Sequence, residues 1–235
     1  SPVQFAIYWD LPKIIRILCT TTNDTSLQPS SSKHSDDEVD EQGMTPLMLA
    51  CELGHVACIQ TLMCASCPKK LDRREIVGGN TAFHFCCMGP NYTKLLSVSE
   101  VIDEEEDYDE IFDCSNDIPV SACADAFDML LRYTSIKDQK RALLLTNFNG
   151  QNLLHIACIR GDIPLLERLL DCHNLPGGKL VKALETKDKL GHTPFVSAVF
   201  HEKTKIIMHF ITYKNSLSIW LEGCPLIVAA SNRSV

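Results

Sequence analysis

The chain has 235 residues, 45% of them hydrophobic and 22% charged, and a formal net charge of −8. This composition supplies a packed core but no basic face, so direct nucleic-acid binding is excluded from the expected functions. No run of about 20 apolar residues marks a membrane span.

Taken in order, Ser1–Leu11 (SPVQFAIYWDL) reads as a short helix, and Ile14–Leu18 belongs to a second one that Pro12 enters. The stretch from about residue 20 to 42, TTTNDTSLQPSSSKHSDDEVDEQ, is rich in Ser, Thr, Asp and Glu. It holds too few apolar side chains to offset the entropy of ordering, so an unordered loop is expected. Ser35, followed by Asp36, Asp37 and Glu38, resembles a site for an acidophilic kinase. Phosphate there would add roughly −1.5 to −2 charge.

The next helix pair is Thr45–His55 (TPLMLACELGH) with Ile59–Leu62. Cys64 and Cys67 form a CxxC after it. Zinc would need a second pair of thiolates or histidines at workable distance. The adjacent Cys86 and Cys87 point about 100° apart on a helix and do not supply one. The CxxC is read as loop or core cysteine, and no metal or cofactor is expected.

A third pair combines a helix near Thr81–Met88 with one near Ala122–Tyr133, separated by an insertion of about residues 90–121. No phrase like the earlier helix starts occurs around residues 114–131, which favours one split unit over a hidden extra one. The insertion carries VIDEEEDYDEIFD, Val101–Asp113. Two readings stand for it. It is a solvated, self-repelling loop, or Glu104, Glu105, Glu106, Asp107, Asp109 and Glu110 form a docking strip for an electropositive partner.

The fourth unit is the clearest. Asn147-Phe-Asn-Gly150 predicts a tight turn, a helix runs from about Asn152 to Arg160, and Gly161 ends it. A second helix opens near Pro164, with Leu165, Leu166, Leu169 and Leu170 at helical spacing. After a longer loop at Asn174–Gly178, Asp188–Gly191 repeats the turn, and Thr193–Lys203 and Ile206–Ile211 repeat the helices. Cys224–Ala230 begins a sixth unit. Both ends look cut from a longer protein.

TPLMLACELGH aligns without a gap to NLLHIACIRGD at Asn152–Asp162. SPVQFAIYWDL, TAFHFCCMGPN at Thr81–Asn91, TPFVSAVFHEK at Thr193–Lys203 and CPLIVAA share its register. These phrases resemble the TPLHxAA signature of ankyrin repeats, and Gly54–His55 matches the inter-helix turn of that family. The resemblance implies an all-α solenoid of stacked helix-turn-helix units joined by hairpin loops. One array would span residues 1–235, with units starting near residues 1, 45, 81, 152, 193 and 224. Two such helices cannot bury their apolar faces alone and need neighbours of the same shape.

In this register His84 and His155 occupy the fourth position, where the resemblance implies a structural hydrogen-bonding role. Gln4, Met48, Val196 and Ile227 replace it elsewhere, which weakens inter-repeat hydrogen bonding there. Cys158 lies three residues after His155 on one helix face, but two structural slots produce that offset by themselves. No catalytic residue is therefore assigned, and no enzyme activity is expected. Of the twelve cysteines, Cys51, Cys87 and Cys158 share one small-residue slot and Cys86 stands where the family usually has Ala. They behave as small buried hydrophobes, which points to a reducing compartment, cytosol or nucleus, rather than a secreted disulfide framework.

Three phrases are narrower. SPVQFAIYWDLPKIIRIL, TPLMLACELG and TNFNGQNLLHIACIRGDIPLLERLL are similar to repeats of the inhibitors of NF-kappa-B, the Cactus-like family. This implies binding of Rel-type transcription factors and masking of their basic DNA-binding or nuclear-localisation segments. The family's DSGxxS phosphodegron is absent from this sequence. The competing class is an ankyrin scaffold or adaptor segment of a larger cytoplasmic or membrane-attached protein.

Overall fold

The computed structural model describes residues 1–21, 39–65, 71–90, 121–171 and 179–212. Among these residues the regular structure is helical, with no strand. The helices are α1 (Pro2–Tyr8), α2 (Pro12–Thr21), α3 (Pro46–Leu53), α4 (Val56–Ala65), α5 (Ala82–Met88), α6 (Ser121–Arg132), α7 (Ile136–Ala142), α8 (Leu153–Arg160), α9 (Ile163–Asp171), α10 (Lys179–Glu185), α11 (Pro194–Phe200) and α12 (Thr204–Thr212).

Short-range chemistry sets the helix ends. Thr45, Asn152 and Thr193 sit in extended conformation at N-cap positions and accept a hydrogen bond from the N–H three residues on. At the other end the chain must enter the left-handed region to turn back. Gly54 (φ 70°) and Gly161 (φ 81°) do so without a Cβ penalty. Asp10 (φ 49°) and Glu202 (φ 54°) occupy the same register position in their units.

Two layers result. α1, α3, α5, α8 and α11 stack in one, and α2, α4, α6, α9 and α12 stack in the other. The three middle helices of the first layer, α3, α5 and α8, are thus flanked by two neighbours and backed by a helix of the second layer. That explains why all seven residues of α5 are buried and why Leu153 to Ile159 of α8 are buried without a break. The outer helices keep one apolar stripe: Leu165, Leu166, Leu169 and Leu170 are fully buried on α9, while Glu167 and Arg168 face outward. The Phe83 and Phe127 rings meet edge-on at 6.0 Å and join α5 to α6.

Two details depart from the sequence expectation. The polar stretch expected to be unordered through Gln42 is structured at its end, because Asp40 Oδ1 accepts from the Gln42 and Met44 amides at 2.9 and 2.8 Å. This local cap needs no apolar burial. The connections after the third and fourth units also contain the short helices α7 and α10, which had no counterpart among the predicted elements. Ser135 caps α7 by accepting from the Asp138 amide, and Asn152 Nδ2 donates to the Ala183 carbonyl of α10 at 2.7 Å.

Candidate protein-binding surface

Each hairpin loop begins with a side chain that accepts hydrogen bonds from its own turn. Asp40 is the first. In the fourth unit, Asn147 Oδ1 accepts from the Asn149 and Gln151 amides, both at 3.0 Å. In the fifth, Asp188 Oδ1 accepts from Leu190 at 2.9 Å and His192 at 2.8 Å. A short Asx side chain two residues from the tip is the right length for this turn. The third hairpin, Glu75–Asn80, is one residue longer, and its first residue carries one more methylene. The buried Glu75 carboxylate reaches the amides of Val77, Gly78 and Asn80.

The tips are tied to one another. Ile76 N–H donates to the Gln42 carbonyl at 2.9 Å, Phe148 N–H to the Gly78 carbonyl at 2.7 Å, and Lys189 N–H to the Asn149 carbonyl at 2.9 Å. Asn147 Nδ2 adds a side-chain link to Asn80 Oδ1 at 3.1 Å, and the Arg74 guanidinium bridges the Gly79 and Thr146 carbonyls. Four hairpins from four units therefore form one linked edge. Along it, Ile76 (68% exposed), Val77 (74%) and Leu190 (73%) project into solvent, and Phe148 (47%) lays its ring across Gly79 with the other side open. Large apolar side chains on rigid, hydrogen-bonded turns lose little entropy on contact, which suits them to anchor a partner. The charge pattern of the sequence does not point to this row. Its signal in the sequence is an apolar residue within two positions of the turn glycine in three successive units.

The predicted partner-binding residues Glu104, Glu105, Glu106, Asp107, Asp109 and Glu110 lie outside the described residues, as does the phosphorylation candidate Ser35. Cys67 of the CxxC also lies outside them. Its companion Cys64 is exposed on α4 and contacts the Tyr133 hydroxyl at 3.3 Å.

Of the slot histidines, His155 bonds its unit to the next and His84 bonds within its own. His155 Nδ1 bonds Asn152 Oδ1 at 2.7 Å, and its Nε2 meets the His192 carbonyl of the next hairpin at 3.0 Å. His84 Nδ1 bonds Thr81 Oγ1 at 2.8 Å, but its Nε2 faces the Gln151 and Leu145 carbonyls without a well-formed bond. Burial lowers the pKa of both rings, that of His84 to about 4, so both are neutral near pH 7. Where Met48 replaces histidine, its sulfur still accepts from the Thr45 amide at 3.4 Å, a weaker cap. Cys158, three residues after His155, is fully buried, and desolvation pushes its thiol far up. Burial does the same to Cys86 and Cys87. Thiols held protonated in this way are poor nucleophiles.

No described helix is long and apolar enough to cross a membrane. Compared with family models, residues 4–109 match the model described as Ankyrin repeats (3 copies), and residues 149–176 match Ankyrin repeat. No curated protein matches the sequence. Ankyrin repeats are in general interaction modules rather than enzymes. The two matches, the paired helix layers and the linked hairpin edge agree: the chain belongs to the ankyrin-repeat family and is a protein–protein interaction module.

Proposed function

We propose that this module is an inhibitor of NF-kappa-B/Rel-type transcription factors, sequestering them and masking their basic DNA-binding or nuclear-localisation segments. The linked hairpin edge carries the reading. It offers apolar anchors at Ile76, Val77, Phe148 and Leu190 on a chain of net charge −8. Three sequence phrases similar to the NF-kappa-B inhibitor family, including the whole fourth unit, supply the identity of the partner class. In this reading the acidic residues Glu104, Glu105, Glu106, Asp107, Asp109 and Glu110 speed association with a basic segment, and the protein acts in the cytoplasm or nucleus.

The test is a titration of a purified Rel domain, bound to labelled DNA, with this chain at two salt concentrations. Expected are displacement of DNA and weaker binding at higher salt, since exposed charges are screened beyond roughly 8 Å at physiological strength. Neutralising the six acidic residues to Gln and Asn should slow association more than it speeds dissociation. No binding at micromolar chain sinks the inhibitor reading and leaves a scaffold or adaptor module. Binding that ignores the neutralisation removes only the acidic contribution.

A further inference from the structure

Asp10, His55 and Cys58 come from two different units, yet each offers a ligand atom within 4.8 Å of the others. Asp10 stands in the first inter-helix turn at φ 49°, a left-handed conformation that the second and fourth units assign to glycine. His55 lies in the corresponding turn of the second unit. Cys58 follows three residues later on the first turn of α4, so the two side chains share one face. Cys58 Sγ donates to Asp10 Oδ1 at 3.1 Å, and His55 Nδ1 lies 4.0 Å from the same oxygen. In a tetrahedral zinc site, bonds of about 2.0–2.3 Å place neighbouring donors roughly 3.3–3.5 Å apart. The observed separations bracket that value.

We infer that Asp10, His55 and Cys58 form a zinc-binding site that clasps the first unit to the second. One thiolate, one imidazole and one carboxylate suit Zn²⁺ rather than Mg²⁺ or Ca²⁺, which take oxygen donors. Cys58 is buried, His55 half-buried and Asp10 exposed, so the fourth position opens toward solvent, where water completes the tetrahedron. Binding displaces the Cys58 proton to solvent, one H⁺ for each Zn²⁺. Occupancy should therefore rise with pH as the metal competes against that proton.

The imidazole must also change tautomer. Its Nδ1 now bonds the Ile7 carbonyl at 2.8 Å; on binding, that proton is carried by Nε2 instead. The Ile7 carbonyl is not orphaned, because it also accepts from the Asp10 amide at 3.0 Å.

Titration of the full chain with Zn²⁺ by calorimetry, and with Co²⁺ by its thiolate charge-transfer band, tests the site. The expected result is one metal per chain in this class, release of a proton, and a higher melting temperature. Cys58→Ser should lower affinity by at least about 100-fold, the upper end of the loss for an outer-shell partner. Asp10→Asn, at an exposed position, should weaken binding while leaving the helical circular dichroism intact. A Cys64→Ser/Cys67→Ser double variant should bind as the parent does. Equal binding by the parent and Cys58→Ser overturns the proposal. So does loss of binding in the Cys64/Cys67 double variant with retention in Cys58→Ser, or no stoichiometric binding at micromolar metal.

Discussion

The third and fourth units use one sequence pattern and reach burial by different means. In the fourth, every device is regular. Asn152 caps α8, Gly161 turns the chain directly into α9, a five-residue hairpin precedes the pair, and both nitrogens of His155 are bonded. In the third, the hairpin has one residue more and Gly89 ends α5 one register position sooner, at φ 61° and ψ 177°. The next helix among the described residues begins at Ser121. Yet α5 is buried along its whole length. Apolar contact from α3, α8 and α6 holds that helix where local hydrogen-bond geometry is imperfect. A repeat can lose its local regularity and keep its place, provided its neighbours keep theirs.

The largest test of this contrast lies in the regular unit. Leu166→Ala removes a fully buried side chain and should cost about 2–5 kcal/mol, with the third to fifth units loosening together. Urea unfolding measures it, and a change below about 0.5 kcal/mol would show that the stacking register is wrong.

The next test separates the two histidines. The His84 pKa is depressed in the fold to about 4 from an ordinary 6.5. Its stabilising contribution is therefore complete above pH 6.5 and is lost as pH falls toward 4. Between pH 7 and 4.5 the loss should be about 2–3 kcal/mol, read as a falling urea midpoint. His84→Gln should flatten that slope more than His155→Gln does. Equal slopes in the two variants would mean that burial of His84 is not what depresses it.

A smaller difference is expected between the hairpins. Glu75→Ala strands three amides around a buried carboxylate position and should cost about 3 kcal/mol at most, against about 1 kcal/mol for Asp188→Ala, where two half-exposed amides can turn to water. If Asp188→Ala proves the more damaging, the extra residue of the third hairpin is supported by something other than Glu75.

The smallest effect concerns the inter-helix turn. Gly161→Ala should cost about 1 kcal/mol, because the added Cβ at φ 81° meets only the flexible Lys203 side chain, at 3.2 Å. Thermal melts resolve a shift of that size. No measurable change would show that this turn tolerates a side chain as freely as the Asp10 and Glu202 turns do.

The repeat register was legible because it rests on residues with one physical job. Thr or Asn caps, glycine turns, and Leu165, Leu166, Leu169 and Leu170 packs, each from its own position in the chain. The Asp40 turn is not legible in the sequence, because acidic composition hides a single carboxylate that closes a loop. α7 and α10 leave little trace in the sequence, since each is short and has partners far away in the chain, Asp72 for Arg141 and Asn152 for Ala183. The neighbourhood of Asp10, His55 and Cys58 has no local spacing to find. It exists only once units are superposed, when the turn of one unit falls beside the turn of the next. The hairpin anchors were visible in principle, but exposure at a turn is the ordinary state of a loop residue. Only the backbone bonds between tips single them out.

Those bonds also give the array a mechanical character. On the hairpin edge each junction is held by one or a few hydrogen bonds, which lengthen little before they break. On the helix side it is held by apolar surfaces, which can slide. The stack is therefore stiff against separation of its tips and compliant in the layers behind them, like a strip of leaf springs clamped along one rim. Bending changes the curvature while Ile76, Phe148 and Leu190 keep their spacing. A ligand spanning them meets a fixed ruler, and the solenoid flexes around it.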